Sequence, residues 1–186
     1  MSKITKVLSV CFVFAFVVCG VSFAKDFSAD FVSKAGQALI RGKMFFANNK
    51  FRMENPQAIT ISRMDKKVVF VLMPGQKMYM EQPITEENTK GLSQKKMAGE
   101  MKREKIGNET VNGIKADKYR ITYKAQGKTD SMFQWIASGI EMPVKTSSVD
   151  GKWSMELKNV KFGSQPDALF EVPKGYKKFS YKMPSF

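Results

Sequence analysis

Few residues in this 186-residue chain can make or break bonds. It contains no histidine, and its two cysteines, Cys11 and Cys19, lie near the N-terminus. Beyond position 24 nothing remains from which to build a Ser-His-Asp or Cys-His nucleophile, an imidazole or thiolate zinc site, or a c-type haem attachment. The carboxylates Glu86-Glu87, Asp117 and Asp150 are the candidates for acid–base work, but each falls in a predicted turn or loop, where a solvated carboxylate is ordinary. There is no Gly-rich phosphate loop. Thirteen methionines supply thioethers, and Met78 and Met80 would share one face of a strand, as a Cu(I) site requires. Two thioethers without His or Cys are too few for such a site, and methionine more often serves as a flexible apolar filler on surfaces that fit varied ligands. The sequence predicts no catalytic residue, no metal and no cofactor. Function must then reside in apolar surface, charge and address.

Address is the clearest of the three. Lys3 and Lys6 precede an apolar run from Val7 to about Val18, and Ser22-Phe23-Ala24 presents small residues to a signal peptidase. Cleavage is expected after Ala24. The run is shorter than the roughly 20 residues a spanning helix needs, and Val18 occupies a position where a lipoprotein signal at Cys19 needs a small residue. Residues 1–24 are thus read as a cleaved leader and residues 25–186 as one soluble periplasmic domain with a single core. Both cysteines leave with the leader, so stability rests on packing without disulfides. Two of the chain's lysines leave too, which lowers the net charge from +14 to +12. An exported protein this basic meets lipid headgroups and other envelope anions rather than nucleic acid. Lys95, Lys96, Lys102, Arg103 and Lys105 form one basic cluster; Lys174, Lys177, Lys178 and Lys182 form another, interleaved with Tyr176, Phe179 and Tyr181.

The elements that would position these groups are strands. Phe27, Ala29 and Phe31 alternate with polar neighbours, and the same period of two returns at Phe51 and Met53, Ile59 and Ile61, Met78 and Met80, Tyr119 to Tyr123, Phe133 and Trp135, and Trp153 to Leu157. Between them stand turn signals: Asn48-Asn49, Asn55-Pro56, Asp65-Lys66-Lys67, Pro74-Gly75, Asn112-Gly113, Gln126-Gly127 and Asp150-Gly151. The pattern predicts a mainly β fold: a single antiparallel, strongly curved sheet of about eleven strands. Residues 84–104 break the rhythm and read as a lid insertion of loop and short helical turns, with Leu92, Met97 and Met101 on one side. Val68–Met73, VVFVLM, is apolar on both faces, although a strand with one wet face should alternate. Something must cover its second face.

Several of these pieces occur together in one family. Phe27-Ser28-Ala29-Asp30-Phe31, Gly42-Lys43-Met44-Phe45-Phe46, Phe51-Arg52-Met53-Glu54-Asn55-Pro56, the Asp65-Lys66-Lys67 turn before an apolar strand ending at Pro74, and Asp167-Ala168-Leu169-Phe170-Glu171-Val172-Pro173-Lys174-Gly175-Tyr176 resemble LolA-type outer-membrane lipoprotein carriers, in order and over nearly the whole chain after the leader. Gly107 to Gly113 followed by Tyr119, and Trp135-Ile136 before Pro143-Val144-Lys145, are more similar to an uncharacterised secreted LolA-like group. The resemblance implies an incomplete β-barrel whose apolar concave face holds acyl chains under a lid.

From these readings the expected ligand wall is Met44, Phe46, Phe70, Leu72, Tyr119, Ile121, Trp135, Trp153 and Met155. Lys95, Lys96, Lys102 and Arg103 are the candidates for an anionic headgroup. The expected function is that of a monomeric, non-enzymatic binding protein for a lipid, acyl chain or lipidated protein. The alternative is an envelope protein–protein interaction or sensor module without a small ligand.

Overall fold

The computed structural model describes residues 26–84, 97, 99–125, 127–140 and 142–179. The expected leader, and Leu92, Lys95 and Lys96 of the expected lid, lie outside the described residues.

Among the described residues twelve strands form one curved, non-closed sheet, one more than the sequence pattern suggested. In chain order they are β1 (Phe27–Ala35), β2 (Ala38–Ala47), β3 (Lys50–Glu54), β4 (Ile59–Arg63), β5 (Val68–Met73), β6 (Met78–Pro83), β7 (Glu100–Val111), β8 (Ile114–Ala125), β9 (Lys128–Ile136), β10 (Lys145–Ser148), β11 (Trp153–Phe162) and β12 (Lys177–Lys178). The sequence-predicted turns join them. Asn48 and Asn49 at β2–β3, and Asn112 with Gly113 at β7–β8, all have positive φ, which Asn and Gly tolerate and which suits two-residue hairpins. Met101, Lys102 and Arg103, expected in the lid, belong to β7. There the strand pairs with β8 through shifts at Glu100/Lys102 and Lys105/Gly107. Ladder bonds to β8 outweigh the weak strand propensity of this charged stretch.

The spatial order is β12-β6-β5-β4-β3-β2-β1-β11-β10-β9-β8-β7. Neighbours in sequence are neighbours in the sheet except at two places. The chain passes from β6 near one edge to β7 at the other, and from β11, which lies antiparallel beside β1, to β12 at the β6 edge. The β1–β11 pairing joins two meanders into one surface.

Cross-strand partners share a face, so register assigns every side chain. The first face carries Phe27, Ala29 and Phe31 of β1 opposite Phe46, Met44 and Gly42 of β2. It continues through Phe51 and Met53, Thr60 and Ser62, Val69 and Val71, to Met80. Gly42 is required there. A Cβ at this position would collide with the Phe31 ring and the Glu54 carbonyl oxygen, so glycine lets the aromatic ring lie flat on the strand.

The second face answers the puzzle of Val68–Met73. Phe70 and Leu72 point to it, together with Ile59 and Ile61 of β4 and Tyr79 of β6. There they are covered by the chain's own C-terminal segment. Phe170, fully buried, packs with Ala47, Ile61 and Leu72, flanked by Leu169 and Tyr176. Two arginines on the same face fix the segment. Arg52 donates to the Leu169 carbonyl at 2.9 Å, and Arg63 donates to the Phe170 carbonyl at 3.2 Å and pairs with Glu171 and Asp65. The segment ends in β12, which adds to the β6 edge in parallel and ties Lys178 to Glu81 at 2.7 Å. Tyr176 and Lys178 of the second basic cluster are thereby part of the structure's own packing.

Candidate functional site

With the second face of β3–β6 sealed, the apolar surface still open lies on the first face. Its centre is dry: Phe27 and Met44 are essentially inaccessible, and Phe27 stacks on Phe46 with ring centroids 5.7 Å apart. Towards β6 the side chains Phe51, Met53, Val69, Val71, Met73, Met78 and Met80 are all half-buried. On the far wing Met132 pairs with Ile121, and Thr146 pairs with Met155, on this same face. Seven methionines (Met44, Met53, Met73, Met78, Met80, Met132 and Met155) thus line one side of a single sheet. Met44 and Met132 are buried, while the other five are half-buried, and thioether chains with three rotatable bonds pack adaptably. Among the described residues no cluster of three or more His, Cys, Asp or Glu could hold a metal.

The sequence-based wall is divided by this register. Met44, Phe46, Tyr119, Ile121, Trp153 and Met155 share the first face. Phe70, Leu72 and Trp135 point the other way. In an all-apolar strand the alternation carries no sign, so nothing in VVFVLM says which residues face inward; Val69, Val71 and Met73 hold the positions given to Phe70 and Leu72. The missed residues could have been found by following turn lengths. Turns of two, four, four and four residues carry Met44 to Met53, Thr60, Val71 and Met80.

Trp135 belongs to a polar-rimmed cluster on the second face. Its ring is only 4% exposed, and the ammonium groups of Lys118 and Lys145 each sit 4.9 Å from its centroid. Its indole N–H donates to Glu109 at 2.8 Å. Hydrogen bonds from Lys118, and then from Trp135, hold the Glu109 carboxyl below its ordinary range. Both lysines are engaged with the rings.

Of the expected headgroup residues and lid residues, Arg103 faces the first side, forks onto Glu100 at 2.8 and 2.9 Å, and lies 5.7 Å from the Tyr119 ring. Lys102 points away and pairs with Glu104 at 2.6 Å. Met97 is half-buried and Met101 is 64% exposed. Among the described residues of the headgroup set, Arg103 shares the first face with the wall residues and Lys102 does not.

A family model described as a domain of unknown function, DUF4412, matches residues 28–142. The chain belongs to this family. No curated protein matches it. Among solved structures this DUF4412 chain is similar to MucB, with a TM-score of 0.54 at 10% identity over 82% of this chain and 59% of MucB. It is also similar to a chain of the Pseudomonas aeruginosa MucA/MucB complex, with a TM-score of 0.51 at 15% identity over 80% of this chain and 56% of that one. The chain therefore spans less than three fifths of those neighbours. A putative outer membrane lipoprotein-sorting protein domain from Vibrio parahaemolyticus aligns at a TM-score of 0.37 and 12% identity, over 79% of this chain and 90% of that one. At these identities what the chain shares with MucB is the fold. The single, strongly curved and non-closed sheet expected from the sequence is the fold found.

Proposed function

We propose that this protein is an exported, non-enzymatic binding protein whose first sheet face holds the apolar part of a lipid, acyl chain or lipidated protein. The observation that carries the reading is the contrast between the two faces of β3–β6. One is closed by the chain's own Phe170 segment, while the other is a continuous, half-buried, methionine-rich wall. A folded chain has no need of so long an open apolar strip for its own stability, and such strips mark interaction sites. Export follows from the leader-like residues 1–24, with cleavage after Ala24 and a periplasmic location.

Each buried CH₂ contributes about 0.8 kcal/mol, or roughly a fourfold gain in affinity, until the strip is full. The two tryptophans make the assay face-specific, since Trp153 shares the first face and Trp135 the second. Titration with fatty acids or lysolipids of increasing length should shift Trp153 emission, with affinity rising with chain length. A Trp153→Phe variant should lose the signal while Trp135 emission stays constant. Absence of chain-length dependence together with no lipid in an organic extract of the purified protein would sink the reading.

A second reading is favoured by one neighbour, described as MucB in complex with MucA(peri), with a TM-score of 0.52 at 10% identity. In it the first face docks another envelope protein and carries no small ligand. A lipid-free monomer that forms a stoichiometric complex with one envelope protein through first-face residues would support it.

A further inference from the structure

The β1–β2 hairpin projects past the neighbouring strand. β3 pairs only with Lys43–Ala47 of β2, so Ala38–Gly42 have no partner on that side. Lys34 to Arg41 are exposed throughout. At the tip Leu39 and Ile40 are 48% and 46% exposed and point to opposite faces of the hairpin. Their surroundings are cationic. No acidic residue occurs between Asp30 and Glu54, whereas Lys34, Arg41 and Lys43 do. Among the described residues neither Lys34 nor Arg41 forms an ion pair. The two carboxylates opposite Lys43 are engaged elsewhere: Asn159 donates to Asp30 at 2.7 Å, and Arg52 pairs with Glu54 at 2.8 Å.

The adjacent hairpin tip reinforces this end. The Gly36 N–H donates to the Lys152 carbonyl at 3.1 Å, Val149 is 42% exposed, and Trp153 stands opposite Ala35. Beside the hairpin lies a groove of about 850 Å³, with Lys34, Leu39, Arg41 and Lys43 on one side and Pro56 and Pro74 on the other. Exposed aliphatic side chains near a projecting tip, one cation (Lys34) level with Leu39, others (Arg41 and Lys43) one and three residues behind Ile40, and a tryptophan within one residue of the same level suit a bilayer surface, where hydrocarbon, phosphate and interface lie close together.

We propose that this end of the sheet docks on an anionic lipid surface, with Leu39 and Ile40 entering the acyl boundary and Lys34 and Arg41 meeting phosphate groups at the mouth of the groove. The proposal goes beyond the ligand reading and stands without it. Flotation with extruded vesicles tests it. The protein should float with phosphatidylglycerol/phosphatidylcholine vesicles at low salt, and at ~0.5 M salt, where screening shortens to a few ångströms, it should be released. It should stay behind with pure phosphatidylcholine. Near an anionic surface each cation is worth about a fivefold change in partitioning, so Lys34→Gln/Arg41→Gln should lower it about 25-fold. Leu39→Ser/Ile40→Ser should lower it at least tenfold.

A control with the same charge loss at exposed residues of the opposite sheet end, Lys67→Gln/Lys115→Gln, should stay within about threefold of the parent. Equal loss in this control, equal binding to neutral vesicles, or an unaffected Leu39→Ser/Ile40→Ser variant would overturn the proposal, as would vesicle-independent capture of an acidic protein by the same tip. The tip residues carry no core contacts, so circular dichroism should be unchanged in all variants. A protein that fails to float yet binds lysolipid in solution sinks only the docking. One that floats but never retains lipid sinks only the ligand reading.

Discussion

Phe170→Ala is the perturbation that most directly examines why the second face of β3–β6 is closed. The ring is fully buried against Ala47, Ile61 and Leu72, with Phe45, Ile59, Phe70 and Tyr79 around them. Removing a buried phenylalanine ring costs about 3–5 kcal/mol, the spread reflecting how far the site collapses. Here the covering layer is a single segment held by side-chain bonds from Arg52 and Arg63, so it can settle partly into the space, and a loss of about 3 kcal/mol is expected. A domain of this size has a net stability of only about 5–15 kcal/mol, and each kcal/mol corresponds to roughly 2–4 °C in Tm. The variant should therefore melt about 6–12 °C lower. Urea titration followed by tryptophan emission measures it, since Trp135 and Trp153 both lie away from this segment and report global unfolding. Arg63→Met should cost a comparable amount by leaving Asp65 and the Phe170 carbonyl without their side-chain donor and Glu171 with Lys66 alone. The double variant should lose less than the sum, because both residues hold the same segment. A Phe170→Ala loss below about 1 kcal/mol, or strict additivity with Arg63→Met, would refute the account of the segment as a packed cover.

The same cluster sets the acid limb of stability. The Arg63 hydrogen bond lowers the Asp65 carboxyl from its ordinary 3.8 to about 2. Burial pushes the Glu171 carboxyl up, but bonds from Lys66 and Arg63 outweigh it and leave it lowered. Groups with depressed folded-state pKa values stabilise above their unfolded values and lose that contribution as pH falls through the folded ones. Urea midpoints should therefore be insensitive to these groups above about pH 5 and fall between about pH 4 and 2; an unchanged acid limb in Arg63→Met would contradict this. Gly42→Ala should destabilise by about 1–3 kcal/mol, against the usual gain from replacing a strand glycine, because the added Cβ meets the Phe31 ring and the Glu54 carbonyl. A rise in Tm would show that the close approach does not exist in solution.

Strands and turns were legible in the sequence because they depend on nearest neighbours. Period-two apolar spacing marked most of the strands, and Asn48-Asn49 and Asn112-Gly113 marked hairpins through residues that accept positive φ. The absence of His and of Cys after position 19 likewise ruled out imidazole and thiolate chemistry in that part of the chain before any fold was known. Three features needed the tertiary structure. Pairing of β1 with β11 joins residues more than 110 positions apart, and no local signal encodes a partner at that distance. The face of each side chain in Val68–Met73 depends on the register inherited from β2 through three turns, where one residue more or less exchanges the whole set; this is why Val69 and Val71, and not Phe70 and Leu72, share a face with Met44 and Met155. Finally, Arg52 and Arg63 read locally as polar residues on β3 and β4. Only when Leu169, Phe170 and Glu171 fold back across that face do they become the donors that close one side of the sheet and leave the other open.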